Sequence, residues 1–171
     1  ERAVWTSSVI AEYSAAAGRH SSAFMLDIRK AFEHVEHRVL VEAAKLHGDS
    51  MMLIAWLVKL YQMNRVISFQ DALSSMVRAT RSVVPGSSHA DIAMKLLLLA
   101  PIEGCRGHYP TVMLTCVVDD IQGLAHAATA GQVAELIAEA SQFLVDTMQN
   151  VSRLPISLPK LAVISSSTFL E

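Results

Sequence analysis

Basic residues, cysteines and long apolar runs are all in short supply in this chain. Lysine and arginine number 14 against 16 acidic residues, for a formal net charge of -2. That balance excludes a small, self-sufficient nucleic-acid-binding module, which is normally basic. It leaves open a catalytic portion whose basic surfaces lie elsewhere. Two cysteines, Cys105 and Cys116, make no disulfide framework and fit a reducing compartment. Cys116 reads as a small apolar core group. The longest uncharged apolar runs, Met51 to Val58 and Leu96 to Ile102, fall well short of the roughly 20 residues that a membrane span needs. No charged leader precedes an apolar stretch at the start, so no signal peptide is expected. The expected location is intracellular, nuclear or cytoplasmic, with no membrane partner. Internal repeats and low-complexity segments are also missing. What is present is ample core material, 52% hydrophobic over 171 residues, enough for one domain or a piece of a larger one. The chain begins at Glu1 rather than Met, which leads us to expect a fragment.

The most informative stretch is Thr111 to Gly123. Its β-branched and apolar run stops at two adjacent carboxylates, Asp119 and Asp120, and resumes at Ile121. The pattern predicts a strand, a tight turn and a returning strand. Alternation within a strand sends neighbouring side chains to opposite faces, whereas at a turn both can lean into the same space. Two carboxylates at about 4 Å repel by roughly 1 kcal/mol in water and by more in a lower dielectric. A bound cation offsets that cost. The competing reading is that Asp is simply a favoured turn residue.

Around this hairpin the chain reads in order as follows. Trp5, Val9, Tyr13 and Ala17, four apart, predict a helix over Val4 to Ala17 with a narrow buried stripe, capped by Gly18. Ser22 to Leu26 predicts a strand buried on both faces and ending at Asp27. That acid is either functional or a cap for the next helix. Helices are predicted over His37 to His47, with Leu40, Ala43, Ala44 and Leu46 inward, and over Met51 to Met63. Asn64 to Phe69 and Ser74 to Thr80 predict two strands joined by a loop at residues 70–73. Arg65, Arg78 and Arg81 would cluster beside them, on a solvated sheet edge or against phosphates. Val83 to His89 is a turn whose Gly86 and Ser87 either cap the next helix or present backbone N–H groups to a phosphate or base. A short helix is predicted over Asp91 to Ala100, then a loop over Pro101 to Pro110. Thr129 to Gln132 matches a capping box, and Val133, Leu136, Ile137, Ala140, Phe143, Leu144, Thr147 and Met148 mark the clearest amphipathic helix. A turn at Pro155 to Pro159, then Lys160, leads to a last strand over Leu161 to Ser165. His34 and His37 stand three apart, but no further Cys or His close in sequence completes a zinc set.

Three carboxylates from two strands can meet at one sheet edge, which is what a two-metal phosphoryl or nucleotidyl transfer site needs. The motif order resembles the palm of a reverse transcriptase, of the non-LTR retroelement type. Phe24-Met25-Leu26-Asp27-Ile28-Arg29-Lys30-Ala31-Phe32 resembles the family's first catalytic motif, and His37 falls where such elements often carry a His. Val84-Pro85-Gly86-Ser87 resembles its Pro-Gln-Gly-Ser turn, and Val117-Val118-Asp119-Asp120 its aromatic-x-Asp-Asp box. Leu158-Pro159-Lys160 resembles the segment carrying its later lysine. The resemblance spans nearly the whole chain in the correct order.

The resemblance implies an α+β palm with a small antiparallel sheet and helices packed on one face. It implies an RNA-dependent DNA polymerase acting with two Mg²⁺ ions, or Mn²⁺ in their place. Asp27, Asp119 and Asp120 would be the metal ligands and, with Lys160, the catalytic residues. Lys160 would approach the triphosphate and protonate pyrophosphate. Ile28, Phe32, Gly86 and Ser87 would bind substrate, Phe32 as the steric gate under the sugar. Partners would be an RNA template, a DNA primer and deoxynucleoside triphosphates. Residues 1–171 would be the palm alone, with most of the fingers and all of the thumb missing. Val117 stands where the family usually has Tyr or Phe, and Pro85 where it has Gln. Both departures keep alive a second reading, a catalytically decayed remnant with a binding role only. A nucleotide cyclase is disfavoured because its Gly-Gly-acid signature is absent.

Overall fold

Strand β1, His20–Asp27, is the spine of the molecule. The computed structural model describes residues 2–87 and 89–166, with the backbone alone for residues 2–7. Ser88, in the predicted Gly-Ser turn, and the side chain of Trp5 therefore lie outside the described residues. Four strands form one antiparallel sheet in the order β4-β5-β1-β6, with β4 at Met113–Val117, β5 at Asp120–Ala127 and β6 at Ala162–Ser165. The elements before and between them are α1 (Arg2–Ala16), α2 (Ala31–His34), α3 (His37–Leu46), α4 (Met51–Tyr61), β2 (Ser68–Phe69), β3 (Ala72–Leu73), α5 (Ala90–His108) and α6 (Ala130–Asn150). This is the expected α+β arrangement, a small antiparallel sheet with helices packed against one face.

Alternation along the strands sorts the sheet into two surfaces. Phe24 and Leu26 of β1, Leu114 of β4 and Ile121 of β5 are buried on the helix side. Strands β1 and β5 meet α6 and β4 meets α5; of the predicted α6 stripe, Val133, Ile137, Ala140, Leu144 and Met148 are buried and Leu136, Phe143 and Thr147 half-buried. Half of the capping box is realised, since the Thr129 side chain accepts from the Gln132 N–H at 3.3 Å. Gly123 lies opposite Phe24 across the ladder, and a Cβ there would run into the Phe24 ring. The missing side chain is what lets that ring lie flat over β5.

Helix α5 corrects the sequence reading. A loop was expected from Pro101, yet the helix runs 19 residues straight through it. Proline lacks the N–H that would bond to the carbonyl of Leu97. Ser152 supplies the donor instead: its buried hydroxyl donates to the Leu97 carbonyl at 2.6 Å. With that acceptor satisfied and Pro101 itself buried, the helix continues at reduced cost.

Three further expectations shift. Among the described side chains of α1, Val9 and Tyr13 are exposed and Ser14 is the one buried. Leu46 of α3 is likewise exposed, while His37 is buried. The hairpin over residues 64–80 is tighter than expected. Its turn is Gln70-Asp71, with Gln70 at φ 50, and Ala72 and Leu73 belong to a strand rather than a loop. Two-residue turns match the twist of paired strands better than four-residue ones. Arg81 pairs through its main chain with Glu36 in an isolated β-bridge, and Arg65 pairs likewise with Val77.

Candidate active site

The sheet face opposite the helices carries the chemistry. Register puts Asp27 directly beside Asp120, and Asp120 beside Val117; one pleat along, Met25 lies beside Gln122 and Gln122 beside Thr115. Cross-strand partners project to the same side. These residues, with Lys160, line an open cavity of about 530 Å³.

Three elements build it. First, β1 delivers Asp27 at its end because the apolar alternation of Phe24, Leu26 and Ile28 faces the core, leaving Met25 and Asp27 outward. Second, β4 and β5 are joined by the two-residue turn Val118-Asp119. Val118 takes φ 58, the left-handed region that β-branched residues avoid. Holding it there costs on the order of 1–3 kcal/mol and keeps the turn short enough for Asp120 to start β5 opposite Asp27. Asp119 sits in the turn itself. Third, the segment after α6 is stitched to β1: the Ser157 N–H donates to the Asp27 carbonyl at 2.8 Å, and the Arg29 N–H donates to the Pro155 carbonyl at 2.9 Å. A single 3-10 turn, Leu158–Lys160, then aims Lys160 back. Its Nζ donates to Asp27 Oδ1 at 3.0 Å.

The electrostatics follow from this crowding. The hydrogen bond to Asp27 and its charge, with smaller contributions from Asp120 and Asp119, hold the Lys160 ammonium above the usual lysine range. Cys116, on β4 next to the turn, has its thiol pushed up first by burial and then by the charges of Asp119 and Asp120. It is an exposed residue all the same, not the core group its composition suggested. Asp27 and Asp120 thus stand side by side in the cavity with Lys160, whereas Asp119 occupies the turn and is not part of the cavity lining. Among the described residues, no three His, Cys, Asp or Glu side chains stand close enough to enclose a metal ion unaided.

The other residues singled out from sequence lie elsewhere. Ile28 is buried in the core and held by a main-chain β-bridge to Ile156, so its side chain does not face the cavity. Phe32, on α2, is half-buried against the core and is not part of the cavity lining. Gly86 takes φ 78 with open space around it, and Ser87 Oγ shares a hydrogen bond of 2.5 Å with the Tyr61 hydroxyl. Neither lines the cavity. His37 is buried, bonded to the Ser82 carbonyl at 2.8 Å and stacked on Tyr61, while His34 Nδ1 pairs with the Lys30 carbonyl, so the two histidines do not act as a pair. Sequence reasoning missed Met25, Thr115 and Gln122. The signal was there: each lies two residues from Asp27, Val117 or Asp120 on a strand, hence on the same face.

No family model matches the sequence, and no curated protein does. Solved structures do. The fold is similar to that of telomerase. A Candida tropicalis telomerase in complex with a fragment of telomeric RNA superposes with a TM-score of 0.66 at 10% identity, over 88% of this chain and 27% of that one. An apo telomerase from the same organism, truncated from its C-terminal domain, gives 0.62 at 11% identity over 86% and 31%. A Candida albicans telomerase with telomeric RNA gives 0.59 at 13% identity over 95% and 31%. The chain therefore spans less than a third of those telomerase chains. At such identities the likeness is one of fold alone. Among the described residues no helix is long and apolar enough to cross a membrane.

Proposed function

We propose that this chain is the palm of an RNA-dependent DNA polymerase, of retroelement type, that adds deoxynucleotides to a primer 3′ end. The observation that carries the reading is Asp27 beside Asp120 at the open end of a bare sheet face, with Lys160 on Asp27. The telomerase-like fold supports it. The retroelement assignment rests on the order of the sequence motifs and on Ala31-Phe32.

The donor set fits Mg²⁺. All three candidate ligands are hard carboxylate oxygens, and the site is open rather than enclosed. Mg²⁺ is commonly held by one or two carboxylates, with water and substrate phosphates completing its shell, so an incomplete protein cage is what such a site requires. Asp27, Asp119 and Asp120 would hold the ions. When bound, these supply charge stabilisation at the transferred phosphate and a more acidic 3′-hydroxyl. The strained Val118 turn fixes Asp119 and Asp120 relative to β1. Lys160, protonated throughout the neutral range, donates a proton to the leaving pyrophosphate. From the motif resemblance, Phe32 would exclude a 2′-hydroxyl, and Gly86 and Ser87 would contact template and incoming nucleotide beyond the cavity that they do not line. RNA template, DNA primer and deoxynucleoside triphosphates are the partners.

Primer extension on an RNA template tests this, using the 171-residue chain and the same chain with its flanking coding sequence. Positioning of primer, template and triphosphate supplies much of the rate, and phosphate contacts supply most of the affinity. A palm of net charge -2 should bind weakly and not extend, whereas the flanked chain should extend, with Asp119→Asn abolishing incorporation. A folded flanked chain that incorporates nothing would instead favour the decayed remnant. Val117 and Pro85, at the two family positions where an aromatic ring and a Gln are usual, are the observations that favour it.

A further inference from the structure

Lys160 stands where a cation bound to Asp27 would have to come. Its Nζ is 3.0 Å from Asp27 Oδ1, and the two side chains line the same cavity as Asp120. The placement is built in by the backbone. Ser157 donates its N–H to the Asp27 carbonyl, and the Lys160 N–H closes the turn onto the Ser157 carbonyl at 2.9 Å. The two ends of the pair differ in freedom: the Asp27 side chain is 19% exposed, the Lys160 side chain 66%. One partner is fixed in the sheet, and the other can swing out into solvent. Among the described residues no other lysine or arginine forms an ion pair with Asp27, Asp119 or Asp120.

We propose that Lys160 is the resident counter-cation of the carboxylate site and sets its affinity for divalent cations by having to be displaced. This rests on the polymerase reading above and adds a regulation of the same site. Without a divalent ion the carboxylates need a positive charge nearby, and the ammonium provides it. A divalent cation arriving at Asp27 meets a like charge on the same oxygen and drives the flexible lysine away. The displaced ammonium is then tethered within a side chain's length of the site, where triphosphate oxygens would sit. Occupancy of the metal site and delivery of Lys160 to the phosphates thereby become one event.

The test is direct Mn²⁺ binding to the 171-residue chain, read from the electron paramagnetic resonance signal of the free ion at fixed ionic strength. Wild type is compared with Lys160→Gln, Lys160→Arg and Asp27→Asn, each checked for folding by circular dichroism. Removing one positive charge beside a doubly charged ligand should tighten binding about tenfold in Lys160→Gln after allowance for solvent screening. Lys160→Arg, which keeps the charge, should stay close to wild type, and Asp27→Asn should lose the site. Asp27-dependent binding that is equal or weaker in Lys160→Gln overturns this proposal and leaves the metal site standing. Tightening in Lys160→Arg as well as Lys160→Gln also overturns it, because shape rather than charge would then be at work. No Mn²⁺ binding to any of the folded chains at millimolar concentration overturns both this proposal and the two-metal reading.

Discussion

Phe24 and Met25 are neighbours in β1, yet Phe24 is fully buried and Met25 is 46% exposed. The same division runs across the sheet. On one side Phe24, Leu26, Leu114 and Ile121 are closed over by α5 and α6; on the other Met25, Asp27, Thr115, Val117, Asp120 and Gln122 open onto a cavity. The helix side is held by packing, and its cost for error is set by volume. The bare side is held by register and a strained turn, and its cost for error is set by charge and position. That second face is covered at its other end, where Ala23 and Leu124 are buried; leaving the Asp27 end uncovered spends hydrophobic stabilisation to keep room for something polar.

The largest effect should come from breaking the packed side. Phe24→Ala removes a fully buried ring that lies on Gly123, and large-to-small changes of this kind cost about 3–5 kcal/mol. Met25→Ala, one residue along, should cost under about 1 kcal/mol, since an exposed side chain gains little from folding. Urea unfolding of both variants checks the pair. Comparable losses from the two would mean that the bare face is covered in the folded chain.

A second break lies behind the packed side, at the continuous α5. Ser152→Ala leaves the Leu97 carbonyl buried without the hydroxyl that satisfies it, at a cost of about 1–3 kcal/mol. Pro101→Ala restores a backbone N–H to the same carbonyl. In a double-mutant cycle, Pro101→Ala should therefore recover much of the Ser152→Ala loss while doing little for wild type. Strict additivity in thermal unfolding would show that the hydroxyl and the missing N–H are unrelated.

How far each side was legible in the sequence follows the same division. The α6 stripe could be read because a period near 3.6 is written in apolar residues, and the hairpin at Asp119-Asp120 because β-branched runs stop there. Asp27, Asp120 and Lys160 could be named from motif order, but their meeting depends on antiparallel register, a relation between distant strands. Pro101 misled because a local helix breaker was rescued by Ser152, whose hydroxyl reaches the Leu97 carbonyl from 55 residues away in the sequence. Val9 and Tyr13 misled because periodicity shows that a helix has a stripe without showing that anything lies against it. Ser87 was singled out, but its Tyr61 partner was not, because nothing in the spacing joins the end of α4 to the turn before α5.

The bare side can be sharpened at its turn. Val118 at φ 58 carries strain that glycine does not share. Val118→Gly should raise stability by up to about 1 kcal/mol, the relief being partly offset by the greater freedom of glycine in the unfolded chain. The expected readout is a modest rise in melting temperature. A clear loss would show that the Val118 side chain contributes packing that outweighs its backbone cost.

The smallest effect is electrostatic and has a definite sign. Asp27 and its neighbours hold the Lys160 ammonium above the usual lysine range, so folding favours the protonated form. A cation whose pKa is raised on folding contributes stability that is fully present below its unfolded value, about 10.4 for lysine. That contribution is lost as pH rises through the higher folded value. The pair is solvent-exposed at the lysine end, where screening keeps such contributions small. Wild type should therefore melt slightly above Lys160→Met, by a margin that is flat through neutral and mildly alkaline pH and shrinks above about 10.4. Added salt should reduce that margin. A margin that instead grew toward high pH would mean that Lys160 is held by its aliphatic stem rather than by Asp27, and the charge on the bare face would have to be balanced in another way.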